Sequence, residues 1–371
     1  MQALFDEVRT AISESQTPIL ALHNGVVDQV VVHSLDPIDL ATRLKHGEQR
    51  FRARSISARL GGGGINFALS ASAIGHRNVV FAGFLDDSAL DLLNKLKDRY
   101  SLDLECNRLT SEERTNVVFE PRGLSGRSEG KGNFLFGVKS SEYDFSPLLD
   151  MIRSMDLPHD GWIASCSFNP DISLPVLGLT ANYILDSGYS SERSERKYAS
   201  KLVDDLRKKK DTLKTVILAA NEAEVVKIAK EFGGAYQSRF AAAKFIVDKI
   251  LEQSGVAVLM LLHTSRYSAL ISPGQHDVWA VPAYVLESSE ILRLTNAGDT
   301  MLGAFAASYE ATKDPSASIL FSHAAVACRL TSDELPTKDK FDEFVFRHRL
   351  REDKIRGART VIPTSLRRLS A

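Results

Sequence analysis

Asn296-Ala297-Gly298-Asp299-Thr300, running into the apolar stretch from Met301 to Tyr309, is the segment whose reading decides the fold. A glycine-containing turn that opens directly onto a helix leaves the first backbone N–H groups of that helix without intrahelical partners. Those donors and the positive end of the helix dipole attract phosphate oxygens. A carboxylate at that point repels a phosphate and is a poor ligand for one. It is well placed to take a proton from a hydroxyl that attacks phosphorus. The segment therefore predicts phosphoryl transfer, with Asp299 as the base.

Three earlier stretches carry compatible chemistry. Gly61-Gly62-Gly63-Gly64-Ile65-Asn66 precedes a helical pattern through Ile74. Its glycines let backbone approach a ligand closely, and Asn66 can donate and accept hydrogen bonds. A tight strand–helix turn needs the same residues, so this stretch alone does not decide. His23-Asn24-Gly25-Val26-Val27-Asp28 follows the first strand, where open α/β sheets place ligands. Asn24 and Asp28 there can bond the hydroxyls of a polyol, or form a plain Asn-Gly turn with a solvent-facing Asp. Asn221 and Glu224 share one face of a first helical turn. They can hold water around Mg²⁺, or act as a helix cap with a dipole-stabilising glutamate.

Short β-branched runs alternate with helical patterns, which predicts a parallel sheet covered on both faces. Strands are expected at Ile19–Leu22, Val79–Ala82, Trp162–Ser165, Tyr183–Asp186, Thr215–Ala219 and Val256–Leu262. Helices are expected at Leu4–Ser13, Ile65–Ile74, Ala89–Tyr100, Arg193–Lys209, Ala223–Phe232, Phe240–Gln253, Thr300–Ala311 and Ser316–Leu330. Thr115–Glu120 and Asn133–Val138 break the rhythm and read as a hairpin off the main sheet, a candidate lid. Asp36-Pro37 fits the start of a helix through Leu44 belonging to the same lid.

The 371 residues are 44% hydrophobic and 25% charged, with a formal net charge of −1, enough for a large core. Near-neutral charge and a pI of about 6.8 argue against a nucleic-acid binder. No apolar run reaches the ~18 residues that span a bilayer, and Met1 to Thr10 lacks a signal-peptide pattern. Cys106, Cys166 and Cys328 are scattered and odd in number, which fits a reduced, cytoplasmic protein without a disulfide framework. No GxGxxG follows the first strand, so a dinucleotide-dependent oxidoreductase is disfavoured.

Taken in order, these stretches resemble the signatures of the ribokinase-like (phosphofructokinase-B type) carbohydrate and nucleoside kinases. The GGxGxN signature matches Gly61-Gly62-Gly63-Gly64-Ile65-Asn66, followed by Phe81-Ala82-Gly83 and Asp86-Asp87. The NxxE element matches Asn221 and Glu224, and the GAGD signature matches Asn296-Ala297-Gly298-Asp299. The resemblance implies one α/β domain over residues 1–371, a three-layer sandwich with a mostly parallel central sheet. Residues 29–58 and 104–140 would form a small β-rich lid inserted in it, whose exposed strands are a candidate homodimer surface.

The resemblance also implies roles. Asp299 would be the general base, with the amides of Ala297, Gly298 and Asp299 as an anion hole. Asp28, Asn24, Gly62, Gly63 and Asn66 would hold a sugar, sugar phosphate or nucleoside. Asn221 and Glu224 would organise Mg²⁺ through water. Asn221, Arg293, Asn296 and His323, the last on the Ser316–Leu330 helix, would contact the nucleotide.

Some positions depart from the family pattern. Arg293 stands where an Asp is usual, Asn296 where the first Gly of GAGD is usual, and Leu85 where Gly is common. These departures motivate a competing reading, a catalytically silent nucleotide- or sugar-binding protein. His263-Thr264-Ser265-Arg266-Tyr267 and the N-terminal helix are similar to ADP-dependent sugar kinases, so the donor is open between ATP and ADP. Arg114, Arg122 and Arg127 are candidates for a phosphorylated acceptor.

Overall fold

The computed structural model describes residues 2–22, 25–33, 42–43, 45–46, 55–110, 115–121, 134–136, 144–166, 170–187, 198–236, 238–287, 289–292, 295–332, 334–350 and 358–361. In chain order the first strands are β1 (Ile19–Leu22), β2 (Val26–His33), β3 (Ser55–Gly61), β4 (Val79–Leu85), β5 (Leu104–Thr110), β6 (Thr115–Pro121) and β7 (Phe134–Phe136). They are followed by β8 (Trp162–Ser165), β9 (Asn182–Asp186), β10 (Thr215–Asn221), β11 (Val258–His263), β12 (Tyr267–Ile271), β13 (Trp279–Pro282) and β14 (Arg359–Thr360).

Ten strands form one sheet in the order β14-β13-β12-β11-β10-β9-β8-β1-β4-β5. From β11 to β5 every neighbouring pair is parallel, so these strands end on a common edge. β12 and β13 then add antiparallel. The chain leaves β1 toward β4 on one side and later returns to its other side as β8. That reversal opens a crevice beyond the carboxyl ends of β1 and β8, the usual ligand position in open α/β sheets.

Alternation along the strands builds the layers. Ile19 and Ala21 point into one core, whereas Leu20 and Leu22 point into the other. The first core is closed by α1 (Gln2–Glu14), α2 (Gly63–Ala73) and α3 (Asp87–Tyr100). The second is closed by α4 (Ser146–Ser154), α5 (Pro170–Ser173), α6 (Tyr198–Lys209), α7 (Glu222–Glu231) and α8 (Arg239–Ser254). Three later helices, α9 (Ala297–Thr312), α10 (Pro315–Thr331) and α11 (Lys338–Arg347), complete the first face. α9 and α10 are small-residue-rich and buried over most of their lengths, as their composition predicts. No described helix is long and apolar enough to cross a membrane.

A second sheet, β3-β2-β6-β7, stands apart from the first. β6 and β7 pair antiparallel, as the expected hairpin requires, and β6 also runs parallel to β2. Its small apolar cluster is Val30, Val32 and Val118. One boundary is corrected: Leu104–Thr110 pairs with β4 in the central sheet, so the inserted segment begins after Thr110 rather than at residue 104. Residues 26–33 and 55–61, the first of them read in part as a turn, are strands of the small sheet. The helix expected over 36–44 lies almost wholly outside the described residues, as do Arg114, Arg122 and Arg127.

Candidate active site

The turn before α9 is held by an asparagine in the left-handed region, Asn296 at φ 66° and ψ 14°. Asn is among the few non-glycine residues that accept this conformation at low cost. This explains how Asn296 fills a place where glycine is usual. The Asn296 carbonyl accepts the N–H of Thr300 at 3.0 Å, which closes the first helical turn. The amides of Ala297, Gly298 and Asp299 precede that bond, and no side chain caps the helix. Three N–H groups are therefore left at one point, facing the carboxyl edge of the sheet.

α2 starts beside it. Gly62, at φ 97°, makes the turn that only glycine adopts without strain. The Asn66 side-chain amide donates to the carbonyls of Gly62 (2.9 Å) and Leu60 (3.4 Å), stapling the tetraglycine turn to its own helix. Its donor side is thus committed within the protein, and its oxygen is the part left for a ligand. α2 and α9 touch closely, with Ser70 Oγ donating to Thr300 Oγ1 at 3.3 Å. The two glycine-bearing signatures, more than 200 residues apart in sequence, open side by side.

Asp28 lies in β2 of the small sheet, is 6% exposed, and accepts a hydrogen bond from Asn116 Nδ2 at 2.9 Å. Its carboxyl group occupies the space above Gly61, where an added Cβ would stand 2.2 Å from it. Any side chain at Gly61 must displace that carboxylate. Gly61→Ala is expected to keep the fold, because the obstructing atoms end a movable side chain. A ligand held by Asp28 should bind this variant about tenfold more weakly, on the scale of one lost charge-assisted hydrogen bond, as calorimetric titration would read.

Burial pushes the Asp299 carboxyl up to about 6, and the neighbouring Asp28 charge adds to the effect. Asp299 keeps some access to solvent as a residue, yet protein crowds its carboxyl group, and this crowding dominates the shift. Cys166, just beyond β8, is buried, and its thiol is pushed well up by burial and then by Asp299 and Asp186. Asp28 thus acts on Asp299, and Asp186 and Asp299 act on Cys166. Cys166 is a neutral thiol there, not a nucleophile.

Asn221 and Glu224 form a complete capping box. Asn221 Oδ1 accepts the N–H groups of Ala223 (2.9 Å) and Glu224 (3.1 Å), and Glu224 Oε2 accepts the N–H of Asn221 (2.8 Å). Ser187 Oγ also donates to Glu224 Oε2 at 2.9 Å. Among the described residues no three His, Cys, Asp or Glu side chains cluster as direct metal ligands. The donors at this edge are nonetheless hard oxygens, with Glu224 held in place by two hydrogen bonds. That suits an Mg²⁺ ion that retains its waters rather than one bound by a protein cage.

His323 is buried, with Nε2 bonded to Ser268 Oγ (2.8 Å) and Nδ1 to the Pro282 carbonyl (3.1 Å). Burial, and to a lesser degree His263, brings it down to about 4, and the Pro282 bond only partly opposes them. Both ring nitrogens are committed within the protein, so a nucleotide hydrogen bond to His323, expected from sequence, would require breaking one of these. Asn24 and Arg293 lie outside the described residues. His263, last residue of β11 and register partner of Asn221, was not among the expected site residues. Its Cε1 would lie 4.0 Å from a Cβ placed on Gly298, so its ring borders the α9 turn. Only its position at a strand end signalled this in the sequence.

No family model matches the chain, and no curated protein matches it. Solved structures do. Ribokinase from Arabidopsis thaliana, complexed with ribose and ATP, is 19% identical, with 89% of this chain and 99% of that chain covered at a TM-score of 0.59. Phosphofructokinase-2 from Escherichia coli, in complex with substrates and products, is 13% identical over 90% and 99% of the two chains, at 0.61. Adenosine kinase from Schistosoma mansoni, in complex with 2-fluoroadenosine, is 13% identical over 86% and 96%, at 0.61. The chain has the ribokinase-like fold.

Proposed function

We propose that the chain is a kinase transferring the terminal phosphoryl group of ATP or ADP to a hydroxyl of a sugar, sugar phosphate or nucleoside. The observation that carries this reading is a crowded carboxylate, Asp299, in the same first turn as three uncapped amides. Asp28 and the Asn66 oxygen border that turn and hold the acceptor. Asp299 takes the proton of the acceptor hydroxyl as its oxygen bonds to the terminal phosphorus. The bond from that phosphorus to the bridging oxygen breaks, and the nucleotide leaves one phosphoryl group shorter. The amides of Ala297, Gly298 and Asp299 balance the charge on the transferred oxygens, where such fixed donors act most strongly. Mg²⁺, carried through water near Asn221 and Glu224, would neutralise nucleotide phosphate charge. A reduced, cytoplasmic setting fits this use of nucleotides.

The fold hosts acceptors of different chemistry, since the three similar structures are named for sugar, sugar-phosphate and nucleoside kinases. A coupled assay over sugars, sugar phosphates and nucleosides, with ATP and with ADP, tests the proposal. Transfer to at least one acceptor is expected. Nucleotide binding without transfer across the panel would favour the silent binding protein instead.

Asp299 must be ionised to accept a proton. Catalytic efficiency should therefore fall as pH drops through about 6. A pH–rate profile of kcat/KM, which follows the ligand-free protein, checks this. A base with an ordinary aspartate value would keep full activity well below pH 6.

A further inference from the structure

We infer that His263 is a hydrogen-bond donor to the terminal phosphate of the bound nucleotide, which makes it a contact of the transferred group beyond the α9 amides. The inference rests on the kinase reading above and assigns a side chain to the phosphate pocket. His263 ends β11 in register with Asn221 of β10, so it stands at the carboxyl edge where nucleotide and acceptor meet. Its ring lies against Gly298, the middle residue of the amide cradle, with Cε1 at the contact distance given above. Cε1 is the ring atom between the two nitrogens. The edge turned to the cradle is therefore the edge that carries the hydrogen-bond groups.

Asp299 and its charged neighbour Asp28 repel an incoming polyphosphate, which favours a donor beside them. Backbone amides offset part of that opposition, and an imidazole N–H beside them adds a directional donor. Gly298 carries no side chain, and the His263 ring is the nearest group to the position a Cβ would take there.

Calorimetric titration of the acceptor-free protein with ATP, ADP and AMP tests the assignment. In the wild type, removing the terminal phosphate of the donor nucleotide should weaken binding by a clear step, either from ATP to ADP or from ADP to AMP. His263→Ala should shrink that step about tenfold, and His263→Gln, which keeps a donor, should restore part of it. His263→Phe preserves ring packing without the donor and gives the answer if the alanine variant fails to fold. An unchanged step in the Ala and Phe variants would overturn the inference, even if all three nucleotides bound more weakly. So would the absence of any step in the wild type. Failure of the kinase reading would show differently, as a normal step accompanied by no transfer to any acceptor.

Discussion

Asp299→Asn should lower turnover by a factor of ~10²–10⁴ and leave the protein folded. The substitution is nearly isosteric, so the α9 turn and its three amides keep their geometry, and nucleotide affinity should change little. On the proposed kinase reading, what disappears is the group that accepts the acceptor proton. Near-wild-type turnover in this variant would remove Asp299 from the role of base.

The same substitution should stabilise the protein at neutral pH. Asp299 is held up to about 6 by burial and by Asp28, so the folded state binds a proton more readily than the unfolded chain does. For a carboxyl shifted in this direction, the favourable contribution is fully present below the unfolded value and is lost as pH rises through about 6. At pH 7 the ionised carboxylate costs on the order of 2 kcal/mol, discounted for the solvent it still reaches. Asn carries no charge, so thermal unfolding of the variant should move up by roughly 2–4 °C at pH 7 and by about half as much at pH 5, the difference vanishing only below about pH 4. A fall in the midpoint at pH 7 would mean that the charge has a compensating partner.

The sequence displays six of the ten strands of the central sheet, those that are short apolar runs bounded by turns, and misses β5, β12, β13 and β14. Ile19–Leu22 and Trp162–Ser165 coincide with β1 and β8, and the other expected central strands agree to within a few residues. The small sheet was harder to see. β2 carries Asp28 and Gln29 among its valines; β3 does alternate, with Ile56, Ala58 and Leu60 between Ser55, Ser57 and Arg59, but its first apolar residues are exposed, so the pattern does not mark a buried face.

The site itself is legible in part. Asp299 and the two glycine turns are local features, and the helices that follow them, α2 and α9, pack against each other. Asn221 and Glu224 illustrate a different limit. The spacing that identifies a metal-organising pair is also the spacing of a capping box, and one geometry can serve both ends. The approach of His263 to Gly298 and of Asp28 to Gly61 depends on neighbouring strands and helices. No single stretch of sequence contains it.

Gly303→Ala is the substitution expected to damage the protein most. Gly303 lies nearly two turns into α9, where that helix crosses α2, and an added Cβ would stand 2.3 Å from the Phe67 carbonyl oxygen and 3.1 Å from its carbon. These are backbone atoms of a buried helix, so no side chain can swing aside to make room. Either the helices separate or the α2 backbone deforms, and overpacking of this sort costs ~1–3 kcal/mol or more. The functional loss should exceed what stability alone explains, because the same crossing sets the Thr300–Ser70 contact and the spacing between the Asp299 turn and the tetraglycine turn. A displacement of about 1 Å between a base and its acceptor can lower the rate a hundredfold. Chemical denaturation should therefore show a lower midpoint for Gly303→Ala, and turnover at a temperature where the variant is fully folded should drop by about that factor. Full activity in the folded variant would show that the crossing of α2 and α9 does not set the site geometry.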